Sequence, residues 1–208
     1  MLSSPSGGGK STIARHLLEA REDVTYSVSA TTRPMRPGEE NGRHYHYFSK
    51  PEFERRVAAG EFVEWAEYGG ELYGTLCSEV ERGLAEGRHI VLDIDVEGAR
   101  QVRKRYPDSV HVFVLPPSAQ VLVQRLRGRA TEDLTAVDRR LGIAAGELLA
   151  AQEYDYVVVN DDFVEAVAHV AAILDVEVRR VRRLTNLGQV IDNLRRDLAG
   201  LQQRLRKE

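Results

Sequence analysis

The chain has 208 residues, 42% of them hydrophobic and 29% charged, with a formal net charge of −3. That length suits one compact domain burying roughly 70% of its unfolded surface, and the acidic balance argues against a general nucleic-acid binder, so an acidic ligand must meet a local basic cluster. The single cysteine, Cys77, rules out an internal disulfide and a cysteine-rich metal site; no run nears the ~20 apolar residues that span a membrane, no secretory leader is visible, and a reducing, cytoplasmic setting is expected.

Residues 4–12, Ser-Pro-Ser-Gly-Gly-Gly-Lys-Ser-Thr, predict a phosphate-binding loop. Gly7, Gly8 and Gly9 let the backbone curl so that several N–H groups face one anion. Lys10 adds a mobile positive charge, and the Ser11 hydroxyl suits Mg²⁺. A helix over Ser11–Ala20 should follow, its positive dipole end facing the same anion. The pattern G-x-x-x-x-G-K-[ST] is met at Gly9, Lys10 and Ser11, but its first glycine is Ser4. A disordered Gly/Ser tail is the competing reading, disfavoured by the direct run into an amphipathic segment. Only Met1 and Leu2 precede Ser3, so the strand feeding the loop is short. Each missing ladder bond costs on the order of 1 kcal/mol, and the natural chain is expected to start upstream.

Val24–Ser29 reads as the next strand. Residues 31–74, rich in Arg, Gly, Tyr and Glu, read as an inserted mixed subdomain. Within it Arg33 and Arg36, beside Tyr45, form either a bidentate phosphate clamp or a solvated loop with scattered arginines. Ser49-Lys-Pro-Glu52 has capping-box spacing and should start a short helix. Glu61–Tyr68 reads as a strand and Gly69-Gly70 as a tight turn. Glu64, beside Trp65, is either a surface glutamate or a base reader: a carboxylate accepts from two adjacent donors, and guanine offers N1–H and N2–H₂ side by side.

Beyond residue 75 helical and apolar runs alternate: a helix over Ser78–Glu86, a buried strand over His89–Asp95, a helix over Glu97–Tyr106, a strand over Ser109–Leu115, a helix over Ser118–Arg127 and a last strand over Tyr156–Asn160. Asp93 and Asp95 end their strand where carboxylates hold Mg²⁺ or its waters, or else cap the next helix. Asn160-Asp161-Asp162 touches a base or ribose, or caps a helix. Residues 127–150, with Arg127, Arg129, Arg139 and Arg140, read as a mobile helical flap. Leu184, Leu187, Ile191, Leu194, Leu198, Leu201 and Leu205 form a heptad seam. It either pairs two subunits as a homodimer, the reading slightly favoured, or packs back on the core; Gly188 and Gly200 weaken the helix by up to ~1 kcal/mol each. The βα alternation predicts an α/β protein: a doubly wound parallel sheet covered on both faces, with ligands beyond the strands' carboxyl ends.

Taken together, residues 4–12, Ser27-Val-Ser-Ala-Thr-Thr-Arg-Pro, Asn41-Gly-Arg-His-Tyr45, Glu61-Phe-Val-Glu-Trp-Ala, Tyr73-Gly-Thr, Val91-Leu-Asp-Ile-Asp and Val159-Asn-Asp-Asp resemble nucleoside monophosphate kinases of the guanylate kinase family over residues 1–180. The resemblance implies a P-loop NTPase-type fold: a core of 1–30, 75–126 and 151–183, a GMP-binding subdomain at 31–74, a lid at 127–150 and a separate tail at 184–208. It implies Mg²⁺-dependent transfer from ATP to GMP, and to dGMP, with no nucleic-acid or membrane partner. Ser4, Pro5, Ser6, Gly7, Gly8, Gly9, Lys10, Ser11 and Thr12 would hold ATP; Arg33, Arg36, Tyr45 and Tyr73 the GMP phosphate; Ser29, Glu64, Thr75 and Asp93 the guanine. Lys10, Arg129 and Arg140 would be catalytic, and Ser11 with Asp93 would face the metal. Thr75 stands where the family commonly has Ser, keeping the hydroxyl, and Ala130 replaces a common glycine of the flap. A non-catalytic binding module is the first alternative, opposed by the intact Gly9-Lys10-Ser11. A small kinase for another phosphorylated substrate, such as a ribose bisphosphate, is the second, opposed by Glu64 with Tyr73-Gly-Thr75.

Overall fold

The structure, a computed structural model, describes residues 1–127 and 134–206, the side chains of 134–137 excepted. It divides into two compact units, Met1–Ala168 and His169–Glu208.

The first unit opens with β1 (Leu2–Ser3), the phosphate loop and α1 (Lys10–Ala20), then β2 (Val24–Tyr26), β3 (Ser29–Thr31), β4 (His46–Tyr47) and α2 (Lys50–Ala58). β5 (Phe62–Tyr68), β6 (Glu71–Leu76), α3 (Cys77–Ala85), β7 (His89–Val91) and α4 (Val96–Arg105) follow. After β8 (Val112–Leu115) come α5 (Ala119–Arg127), α6 (Leu134–Leu149) and β9 (Tyr156–Val159), and α7 (Phe163–Glu177) starts in this unit and ends in the second. β1 pairs in parallel with β8, β8 with β9, and β2 with β7. Leu2 joins the two pieces: its N–H donates to Leu92 O at 2.9 Å and its carbonyl accepts from Ile94 N at 3.3 Å. The order is therefore β2-β7-β1-β8-β9, an α/β parallel sheet with Phe113 and Val114 of β8 fully buried. Short as it is, β1 sits mid-sheet with Leu2 and Ser3 buried.

The second sheet, β4-β3-β6-β5, is mixed. The apolar run Val24–Ser29 is not one strand: Tyr26 is the last residue paired with β7, and Ser29 the first paired with Thr75 of β6. β propensity marks extended backbone but cannot name its partner, and here the chain changes sheets. Ala30, Phe53, Phe62, Leu72 and Leu76 form this sheet's own core. The Ser49 hydroxyl caps α2 by accepting from Glu52 N at 3.4 Å, as the capping-box spacing predicts. Gly69 and Gly70, at φ +63° and +85°, make the β5–β6 turn.

In the second unit Glu177 accepts ion pairs from Arg180 at 2.9 Å and Arg183 at 3.3 Å. α8 (Leu187–Leu205) then carries the heptad seam, with Leu194, Leu198 and Leu201 exposed.

Candidate active site

The phosphate loop is built by close approach. Gly9 precedes α1 at φ +98°, a conformation that L side chains rarely adopt, and a Cβ there would lie 2.3 Å from Asn160 Nδ2. That amide donates to Gly8 O at 2.9 Å, and Arg125 reaches the Asn160 carbonyl at 3.0 Å. Asn160 thus holds the loop, while Asp162 caps α7 by accepting from Glu165 N at 2.9 Å. Neither Asn160 nor Arg125 announces this role locally, because both lie more than a hundred residues along the chain from the loop. Ser4, in place of the usual glycine, is unstrained: positive φ is confined to glycines among the described residues. Its hydroxyl donates to Pro5 O at 2.9 Å.

Lys10 Nζ lies 2.7 Å from Asp93 Oδ1. Ser11 follows, exposed on the first turn of α1, with Thr12 beside it. Asp93 Oδ1 is buried and has no donor in hydrogen-bond alignment, so the lysine contact is an ion pair only. Asp95 instead caps α4, accepting from Gly98 N at 2.7 Å. Among the described residues no cluster of His, Cys, Asp and Glu could cage a metal. A carboxylate and a hydroxyl are nonetheless donors of the kind Mg²⁺ takes when phosphates and waters complete its shell.

A cleft of about 390 Å³ gathers Lys10, Ser29, Tyr45, Glu64, Tyr73 and Asp93, with Tyr26, Tyr68 and Asp95. Glu64 reaches it through a β-bulge. Phe62 pairs with Leu76 and Glu64 with Thr75, so Val63 is an extra residue on β5. In an unbroken pleat Phe62 and Glu64 would share a face. With the bulge, Phe62 faces Phe53 while Glu64, Ala66 and Tyr68 line the cleft. Gly74 lies across from it, where a Cβ would come within 2.7 Å of Glu64 O. Glu64 is only 7% exposed, and its Oε1 accepts from Thr75 Oγ1 at 2.6 Å. Burial, and then the Asp95 charge, push its carboxyl above the ordinary range, while the Thr75 hydrogen bond pulls it back.

Tyr26 is a lining residue that the motifs do not single out. Burial and the neighbouring Asp93 carboxylate push its phenol up to about 12. Arg33 and Arg36 do not line the cleft. One Arg33 nitrogen donates to both oxygens of Glu39, at 2.8 and 3.0 Å, and its guanidinium carbon lies 5.5 Å from the centre of the Tyr45 ring. Arg36 is exposed, its backbone N–H donating to Glu39 at 2.7 Å. Tyr47 Oη adds a third donor to Glu39 at 2.7 Å. With Arg33 as the largest influence, Glu39 is held down to about 2. Glu39 was not singled out in the sequence, although the Arg36-Pro-Gly-Glu39 turn places it within reach of both arginines. Arg140 lies on α6, partly buried; Arg129 and Ala130 lie outside the described residues.

Comparison with known proteins agrees with this architecture. The guanylate kinase family model matches residues 1–184. A guanylate kinase of Symbiobacterium thermophilum is 49% identical over 194 residues, covering 93% of this chain and 91% of that protein. One of Rubrobacter xylanophilus is 51% identical over 166 residues, covering 80% and 87%. The crystal structure of guanylate kinase from Anaplasma phagocytophilum superposes with a TM-score of 0.73 at 33% identity, covering 92% of each chain. A glycine-built phosphate loop, a lysine facing a strand-end aspartate and a family match over nearly the whole chain lead to one conclusion: this chain belongs to the guanylate kinase family.

Proposed function

We propose that the chain transfers the terminal phosphoryl group of ATP to GMP, and to dGMP, giving ADP and the nucleoside diphosphate. The observation that carries this reading is the shape of the cleft: Lys10 and Asp93 belong to the same lining as the buried Glu64 carboxylate. Such a cleft suits the acceptor nucleotide, its base at Glu64 and its phosphate toward Lys10.

Residues 4–12 hold the ATP phosphates through backbone N–H groups and Lys10, which exchanges Asp93 for phosphate oxygens. Ser29, Glu64, Thr75 and Asp93 surround the guanine. Glu64 accepts from N1–H and N2–H₂, and adenine, lacking that donor pair, leaves a buried carboxylate unpaired and is rejected. Tyr45, Tyr73, Arg33 and Arg36 bind the GMP phosphate, with Arg33 released by Glu39. Ser11 and Asp93 hold Mg²⁺, which when bound supplies charge neutralisation at the phosphates. The GMP phosphate oxygen is itself the nucleophile, so this chain's task is alignment and electrostatic stabilisation. Residues 1–30, 75–126 and 151–183 are the core segments in this reading. The 31–74 subdomain and the 127–150 lid, with Arg129 and Arg140, close over the phosphates and exclude water. The setting is the cytoplasm, where these nucleotides circulate; no helix among the described residues is long and apolar enough to cross a membrane.

The exposed seam of α8 supports homodimerisation through residues 184–208. In sedimentation a chain ending at Arg183 should then be a monomer where the full chain is a dimer, and the same oligomeric state for both disposes of that seam. The function itself is tested by ADP release from ATP with a panel of nucleoside monophosphates. Turnover on GMP and dGMP is expected; AMP used as well as GMP would end the guanine reading.

A further inference from the structure

Glu147, on the lid helix α6, has no part in the reading above. Its Oε2 accepts from the backbone N–H of Ser6, in the phosphate loop, at 3.1 Å. The two residues are 141 apart in the chain, so the bond is wholly tertiary. Close packing does not force it. A cleft of about 320 Å³ separates this part of α6 from the start of α4, lined by Asp95, Glu97, Arg100, Ile143, Gly146 and Glu147. A carboxylate beside that open space could turn to solvent, yet it is committed to the loop. Burial pushes its carboxyl up, and the Ser6 hydrogen bond opposes that shift.

Through Leu141 and Ala144, the latter one turn before Glu147 on the same face, α6 is also fastened to the loop by way of α5. Leu141 and Ala144 pack with Leu122 and Leu126, and a Cβ at Gly7 would touch the same Leu126 at 3.2 Å. Ser6 and Gly7 are thus gripped from two helices. Arg140 precedes Glu147 by seven residues, which is two turns, about 10 Å along the axis and the same side of the helix.

We infer that Glu147 is a positioning residue: its bond to Ser6 sets the rotation and height of α6 against the phosphate loop, and thereby aims Arg140 at the transferring phosphoryl group. This rests on the reading of α6 as a lid whose arginine acts in transfer. The residue touches no reacting atom, so its loss should lower kcat rather than weaken GMP.

Steady-state kinetics on the full chain test this with Glu147→Ala, Glu147→Gln, Arg140→Ala and the double variant. Glu147→Ala should lower kcat at least tenfold with the KM for GMP within twofold. Glu147→Gln, whose amide oxygen still accepts from Ser6 N–H, should stay within threefold of the parent kcat. In the Arg140→Ala background Glu147→Ala should cost less than threefold further, because a residue acting through Arg140 has nothing left to aim. A kcat for Glu147→Ala within twofold of the parent overturns the inference, and so does a full tenfold loss repeated without Arg140. If Arg140→Ala itself turns over normally, the lid reading falls with it; an impaired Arg140→Ala beside an intact Glu147→Ala fells only the role of Glu147.

Discussion

Replacing Thr75 with Val removes one hydroxyl and almost nothing else. That hydroxyl donates to Glu64 Oε1 at 2.6 Å, and the two residues are 2% and 7% exposed. A hydrogen bond to a charged group is worth about 1.5–3 kcal/mol. Losing it raises the proton affinity of a carboxyl that burial already pushes up, and 1.5–3 kcal/mol is a factor of about 10 to 100 in an equilibrium. A protonated Glu64 cannot accept from both N1–H and N2–H₂, so the KM for GMP should rise about 10- to 100-fold at pH 7 while that for ATP stays within twofold. The sign of the pH dependence follows. In the proposed reading the ionised carboxylate is the binding form, so the deficit of Thr75→Val should shrink as pH rises from 6 to 9. Thr75→Ser keeps the donor and should lie within about threefold of the parent. A coupled ADP-release assay across that pH range decides the matter. A KM for GMP within twofold of the parent in Thr75→Val, or equal impairment in Thr75→Ser, would refute the reasoning.

Lys10→Ala should cut kcat by orders of magnitude with GMP binding largely kept, as equilibrium titration would show; turnover within threefold of the parent would remove Lys10 from phosphate handling. Gly9→Ala imposes a side chain at φ +98° and a Cβ 2.3 Å from Asn160 Nδ2. About 2–4 kcal/mol of strain and overpacking is expected, seen as a Tm lower by at least about 5 °C, and an unchanged melting curve would contradict it. His111, 2% exposed, is held neutral by burial and then by Arg103, its pKa lowered from 6.5 to about 4. The unfolded chain takes up that proton first as pH falls, so the stabilisation is present above 6.5 and lost on descending to about 4, by about 3 kcal/mol. Denaturant titrations should therefore show a flatter profile over that window for His111→Gln, and parallel profiles would count against the assignment.

How much could be read beforehand depended on how local each signal was. The loop and α1 were legible because glycines, lysine and the following amphipathic helix are consecutive in the chain. The start of α2 was legible because a cap needs only Ser49 and Glu52. The division of Val24–Ser29 between two sheets was not, since partner choice belongs to β6 and β7 rather than to the strand itself. Glu64 was legible as a residue type at a strand position, but its route into the cleft depends on pairing with Thr75. The clasp of Glu39 on Arg33 and the hold of Asn160 on Gly8 depend on folding of a loop and on contact across the sheet. Neither leaves a periodic trace.

The extra residue on β5 also makes that strand unequally sensitive to changes in length. Omitting Val63 would give an unbroken ladder from Phe62↔Leu76 to Glu64↔Thr75, and Glu64 would keep its outlook at the cost of the contacts Val63 makes with Val80 and Leu92. Forcing Val63 into the ladder opposite Thr75 would instead slide Glu64 to Gly74 and turn its carboxylate toward the phenylalanines. The outlook of the Glu64 carboxylate can therefore be lost to a miscount of the main chain, with every side chain left as it was.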